Sequence, residues 1–432
     1  MNFASDNQLT PPSDCPTPVM RIAFSHRIAA LLLTACSTSL PSNAADWPGF
    51  HGLGKAGVVS NATLPAGLLE QKTKWSLDLK SRDVGSVAVQ DGRVYLLAMS
   101  PQSETIRLIA AELATGKELW SQEYPQLANH LHSRNTLASS TPATDEQFVY
   151  IANSDRQHTW LRCLDHDGNL QWSRDFGPAQ SQHGFATSPT VVGDTVLLNF
   201  SQQNEQVRDG EPGTSRMIAV DRKTGETRWS TPVTSTRVCY GVPAVINNQV
   251  IGANTGDGVF ALSLDNGKLL WRLPAFKMRC VSSPLIIDDL AIGTSGSGGG
   301  GNHLVAVRIP SKPGETPTEV YRVEKYAPYV PTAVIKDGML FIVDDKGIAS
   351  CVDAKTGKSK WTKRIGGNFS ASPIIVGDQM LLTSLEGEAT VLSATGNYQK
   401  IGQVDLGASI GATPAFADGN LLIRVGDELR CY

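Results

Sequence analysis

The residues best placed to do chemistry in this chain are cations that recur in step. Arg82, Arg134, His183, Arg237, Arg279 and Lys325 each stand a few residues ahead of a repeated Ser/Thr-Pro step or its equivalent, with few carboxylates nearby. Brought around one opening, they would form a collar whose field concentrates an anionic ligand. Its arginines would grip a carboxylate or phosphate in bidentate fashion. The plainer alternative is a set of rim residues bonded to neighbouring loop carbonyls, which contributes little. Other constellations carry less. No paired-carboxylate box or His-Glu-x-x-His motif is present. His130 and His132 alternate on one face of a short stretch that reads as a solvated loop rather than a metal site. The glycine run from Ser295 to Asn302 lacks the Lys-Ser/Thr ending of a phosphate loop and reads as a flexible hairpin tip between two strands.

The elements that must position these residues are repeats. Anchors fall at Pro142, Pro189, Pro243, Pro284, Pro331, Pro373 and Pro414, with a proline-free copy at Val87. Several short strands per repeat of this length point to propeller blades. Each unit reads as four strands: an inner strand at the anchor, an Asp-Gly turn such as Asp337-Gly338, a strand such as 339–343, a third strand, a Thr-Gly turn, and an outer strand ending near a tryptophan. The turn glycine supplies φ > 0. Proline is tolerated because the innermost strand is an edge. Trp75, Trp120, Trp172, Trp229, Trp271 and Trp361 share one position, where a ring can wedge between blades and its N–H can reach a backbone acceptor. Tyr321 and Tyr398 mark two units without that tryptophan, and those blades are expected to be less regular. The last copy stops after its third strand, and the segment around Trp75 can supply the fourth. The expected fold is therefore an all-β, eight-bladed β-propeller of four-stranded antiparallel blades, closed by an N-terminal strand joining the last blade. Closure leaves no long free edge.

The cysteines divide into two kinds. Cys163, Cys351 and Cys431 occupy one register in the third strand of three units, as small core residues do. Cys239 and Cys280 each lie four residues before the anchor of consecutive units. An oxidising compartment would permit a bridge, but equivalent positions in neighbouring blades are expected to lie too far apart.

A net charge of −3 argues against nucleic acid as a partner. Arg21 and Arg27 precede a short apolar run from Ile28 to Leu33, the layout of an export signal. Met20 is a plausible true start. Leu33-Thr34-Ala35-Cys36 resembles a lipobox, which makes Cys36 the expected lipid attachment site; cleavage after Ala44 is the alternative. The expected organisation is an export signal and leader over 1–35, a tether and irregular segment over 36–70, and the propeller over 71–432.

The phrase Ala-x-Asp-x-x-Thr-Gly-x-x-x-Trp, best seen from Ala219 to Trp229, resembles the PQQ-like β-propeller repeat family. The opening Asp46-Trp47-Pro48-Gly49-Phe50-His51-Gly52 and the run His132-Ser133-Arg134-Asn135 resemble a bacterial subgroup of it. Two branches frame what the resemblance implies. Quinoprotein dehydrogenases hold pyrroloquinoline quinone at the channel mouth, with a disulfide between adjacent cysteines, a calcium ion held by Glu and Asn, and a catalytic Asp. Outer-membrane assembly lipoproteins have eight blades, a lipid anchor and no catalysis. No two cysteines are adjacent here, so no cofactor is expected and the quinone is unsupported. The expected function is a non-catalytic, exported, lipid-anchored binding or scaffolding module of the periplasm or outer membrane. Its expected partner is an envelope protein or peptide segment, with an anionic small molecule as a further ligand. A quinone-dependent oxidoreductase and a glycan or anion binder are the alternatives.

Overall fold

The computed structural model describes residues 46–100, 105–127, 130–155, 157–205, 211–312 and 314–432. The leader, Cys36 and the segment up to residue 45 lie outside the described residues. Eight antiparallel sheets follow one another along the chain. We number the blades 1 to 8 by their innermost strands: Ala88–Gln90, Ala143–Thr144, Thr190–Val192, Ala244–Ile246, Leu285–Ile287, Val334–Lys336, Ile374–Val376 and Ala415–Ala417. Blade 8 takes its outermost strand from Trp75–Asp78, which pairs antiparallel with Glu428–Cys431. The eight-bladed reading and its mode of closure hold.

Five of the six repeated tryptophans join neighbours as expected, Trp361 at 3.3 Å to the Thr395 carbonyl, whereas Trp271 bonds to Gln249 Oε1 within its own blade at 2.7 Å. Trp75, Trp120, Trp172 and Trp229 donate their indole N–H to the carbonyls of Leu113, His166, Arg222 and Leu264 in the next blade, at 2.8–3.0 Å. The same rings lie over the turn glycine of that blade. At Gly116 (φ 71°) an added Cβ would come within 2.3 Å of the Trp75 ring, so glycine is required for space as well as for backbone. Opposite the tryptophans, on the third strand, stand Ala110, Cys163, Ala219, Ala261, Cys351 and Cys431, all fully buried. A small side chain is what the broad indole leaves room for. The irregularity expected around Tyr321 does not appear: its hydroxyl donates to the Ala354 carbonyl at 2.7 Å, the contact an indole makes elsewhere. In blade 7 Gly402 takes the tryptophan place, and Leu69 of the N-terminal segment packs there.

The Ser/Thr of the anchor step has its own task. The backbone N–H of one blade donates to the hydroxyl of the next: Ser86 to Thr141, Thr141 to Ser188, Val242 to Ser283, Ser283 to Thr332, Thr332 to Ser372 and Ser372 to Thr413, at 2.9–3.2 Å. This belt circles the channel neck. Where Val242 interrupts it, Cys239 N–H donates to Ser201 Oγ (2.9 Å) and Asn199 Nδ2 to the Gly241 carbonyl (3.0 Å). Between blades 8 and 1 the buried Arg424 takes over, donating to the carbonyls of Gly85 and Leu97 and to Asp83 (3.3, 2.9 and 3.2 Å). The belt also corrects one anchor. In blade 6 Thr332 holds the hydroxyl position and Ala333 the proline position, so Pro331 sits two residues ahead of its counterparts.

The N-terminal segment enters the channel. Trp47 forms a bridge with Val89 of blade 1, and Pro48 accepts from Thr144 of blade 2 at 2.9 Å. Val58–Val59 then adds a fifth, parallel strand to the inner edge of blade 7. Between them, buried His51 bonds through Nε2 to the Pro373 carbonyl at 3.1 Å. That carbonyl can only accept, so Nε2 carries the proton and the partnerless Nδ1 does not. Burial holds the His51 pKa down at about 4.

Candidate functional site at the channel mouth

The loops that lead into the inner strands converge on one end of the channel. There they enclose a cavity of about 420 Å³, within the range of small-molecule sites. Its neck is the hydroxyl belt, its floor includes Phe50, and its walls carry His132, Arg134, His183, Tyr240, Arg279 and Tyr329.

Three of the six sequence-derived cations therefore meet, and three do not. Arg82 and Lys325 are exposed and line no part of the cavity. Arg237 turns away to an exposed ion pair with Glu205 at 3.8 Å. The separation has a simple cause: the loops into the inner strands differ in length, so a similar offset from the anchor does not fix a similar direction. Arg134 is already committed. It pairs with Asp345 at 3.1 Å, and that carboxylate also accepts from the Tyr329 and Val330 amides at 2.7 and 3.3 Å. Burial still raises the Asp345 pKa against those bonds and the arginine charge.

Arg279 is different. Only 9% of it is exposed, and its Nη2 donates to Gln182 Oε1 at 3.3 Å. Its Nε has no hydrogen-bond partner, and no carboxylate among the described residues forms an ion pair with it. A buried charge left this way is costly. The histidines beside it are held neutral. His183 is pushed down to about 4, first by burial and then by Arg279; His132 is lowered by burial and by Arg134 and Arg279. Their rings meet edge to face at 4.9 Å. His132 does sit in an exposed loop, yet it also lines the cavity, which the reading of a solvated loop missed. The expected hairpin tip at the glycine run contributes Ser297 and Gly298 to the wall.

Tyr240, Tyr329, Gln182 and Asp345 were not legible as site residues. They lie on four different loops with no motif among them. Arg279 had one sequence signal beyond its type: the stretch 274–283 contains no acid.

The cysteine pair also corrects an expectation. Cys239 and Cys280 are not distant. Tyr240 N–H donates to the Cys280 carbonyl at 2.9 Å, and the Cys280 N–H points to Cys239 Sγ at 3.3 Å. The bond from Val242 to Ser283 and that from Tyr240 to Cys280 hold the two loops side by side. Cys163, Cys351 and Cys431 are buried and free, each in a different blade.

A closed ring of PQQ-like repeats with a polar mouth is the class of protein that this fold and site define. More narrowly, the chain belongs to the family described as outer membrane protein assembly factor BamB, whose model matches residues 68–239, 214–311 and 322–400. No curated protein matches the sequence. Among solved structures, BamB from Moraxella catarrhalis superposes with a TM-score of 0.58 at 14% identity, covering 82% of this chain and 95% of that one. Quinohemoprotein alcohol dehydrogenase from Comamonas testosteroni gives 0.65 at 13%, covering 90% and 80%. A europium-containing methanol dehydrogenase gives 0.64 at 14%, covering 88% and 89%. At these identities the likeness is one of fold alone.

Proposed function

We propose that this chain is an exported, lipid-anchored, non-catalytic binding module of the bacterial envelope, and that its channel mouth captures an anionic group. One observation carries the second part: Arg279 is buried in the cavity wall without a carboxylate. An anion there would complete its hydrogen bonds and its charge. The ligand group is a carboxylate, phosphate or sulfate, either on a small molecule or on a segment of a partner protein. The envelope setting rests on family membership and on the leader, with Cys36 as the attachment site.

Isothermal titration with citrate and with sulfate tests the mouth. Binding should be saturable and weaken with salt. Arg279→Met should lose it at least tenfold, while Arg237→Ala, outside the cavity, should leave it intact. If the wild type binds neither anion, the reading of the mouth fails. Replacing Cys36 with Ala should release the protein from membranes, and unchanged membrane association would refute the anchor. Crosslinking of the tethered protein followed by identification of bound proteins tests the scaffold role.

The quinone-dependent alternative draws on the shared fold. Arginine could meet a quinone's carboxylates. The metal that accompanies the quinone in those enzymes needs acidic donors, and the cavity lining holds no Asp or Glu. The donor set does not fit that metal. Alcohol- or sugar-dependent dye reduction on adding the quinone would overturn this choice.

A further inference from the structure

The binding reading leaves two buried nucleophilic groups unused. Cys239 and Cys280 lie in the loops that lead into the inner strands of blades 4 and 5, and each precedes or follows a wall residue of the cavity, Tyr240 and Arg279. Both side chains are fully buried. Their backbones are joined by the Tyr240 to Cys280 hydrogen bond, and the Cys280 amide reaches the Cys239 sulfur. Ser235 Oγ also donates to that sulfur at 3.7 Å. The Cys239 sulfur therefore lies against the backbone that carries Cys280, the neighbourhood a disulfide needs. Both thiols are free in the structure, the bonds they donate to the carbonyls of Arg237 and Met278 are long (3.4 and 3.9 Å), and the cavity is lined by their neighbours, not by the sulfurs.

We propose that Cys239 and Cys280 are a disulfide-forming pair, a redox site that ties blade 4 to blade 5 directly behind the cavity wall. The two thiols behave differently. Burial opposes the Cys239 thiolate, but donation from the Cys280 thiol and amide and from Ser235 outweighs it and lowers its pKa. Burial, and that same donated bond, hold Cys280 well above the ordinary thiol range. An attacking sulfur beside a resolving one is the arrangement that exchange requires. In the step, Cys239 as thiolate attacks one sulfur of a disulfide oxidant and expels the other as a thiolate. The Cys280 thiolate, formed by losing its proton, then attacks the Cys239 sulfur of the mixed disulfide. It releases the second oxidant thiolate. Two electrons pass to the oxidant, two protons to solvent, and one S–S bond replaces another. Both sulfurs are sealed once the ring has closed, so the reaction belongs to folding after export or to transient parting of the two blades. The bond would close a loop of about 40 residues, long enough to restrict the unfolded chain strongly.

The test needs no ligand and does not depend on what the mouth binds. The exported full-length protein is trapped with iodoacetamide in denaturant at lysis, and a second sample is first equilibrated with oxidised glutathione a few degrees below its melting temperature. Peptide mapping should find a linked pair containing Cys239 and Cys280, with both released by dithiothreitol. Cys163, Cys351 and Cys431 should be fully alkylated throughout. Dithiothreitol should lower the melting temperature of the oxidised protein by roughly 5 °C, and the C239S/C280S double variant should show no such shift. Full alkylation of both cysteines in both samples would overturn the proposal, even if the double variant fails to fold.

Discussion

The channel has two ends, and Phe50 borders the cavity at each. The mouth is walled by loop side chains with hydroxyl, imidazole, phenol and guanidinium groups. The far end, about 480 Å³, is walled by inner-strand residues such as Val191, Val245, Ile246, Leu285, Ile286 and Ile335, and by the N-terminal segment from Pro48 to Ala56. One end is lined mainly by aliphatic side chains and is already partly filled by the chain itself. The other is polar and keeps a buried charge without a counterion. The same repeat produces both, because a blade exposes conserved geometry along its inner strand and free choice in the loop before it. Stability should therefore reside at the far end and binding at the mouth.

The largest test of that division is Trp47→Ala. Trp47 is 2% exposed and bridges Val89 at 2.8 and 3.0 Å. Its loss should cost about 3–5 kcal/mol in denaturant unfolding, with anion affinity at the mouth retained in the folded fraction. Acidification should act on both ends in opposite directions. His51 has a folded pKa of about 4, below its ordinary value of 6.5. The unfolded chain thus takes up its proton first, and the contribution of His51 is complete above pH 6.5 and lost as pH falls toward 4. The loss is about 3 kcal/mol, read as a falling melting temperature. His51→Asn, which tolerates the positive φ of 62° at this position, should flatten that slope. At the mouth, His183 gains charge only as pH falls toward 4, so sulfate should bind more tightly at pH 4 than at pH 7.5; equal affinity would remove His183 from the site. Arg279→Met should be neutral or raise stability by about 1–2 kcal/mol while it abolishes binding. A destabilising result would mean that Arg279 serves packing instead. The smallest effect is expected at the blade interface, where Tyr321→Phe should cost about 1 kcal/mol by leaving the Ala354 carbonyl without its donor.

Much of the ring was legible in the chain. The Thr-Gly turns, the tryptophans and the truncated last unit each describe a local need: a positive φ, a ring that wedges between sheets, a strand that lacks its partner. Such needs recur at a fixed offset, so one sequence can announce them blade after blade. The site was legible only in part. Arg134, His183 and Arg279 meet at the mouth, whereas Arg82, Arg237 and Lys325, at similar offsets, do not. Pro331 misled the register of blade 6 because a proline two residues early looks the same in sequence.

By itself, then, the sequence determined the number of blades, the order of strands within each and the seam that joins Trp75 to Cys431, because periodic side-chain requirements act over a few residues. The tertiary structure alone decided which loop side chains face one another, that the segment after Asp46 crosses the channel, and that Cys239 lies against Cys280. Those outcomes depend on distances across a closed ring, between residues that are far apart in the chain and share no pattern.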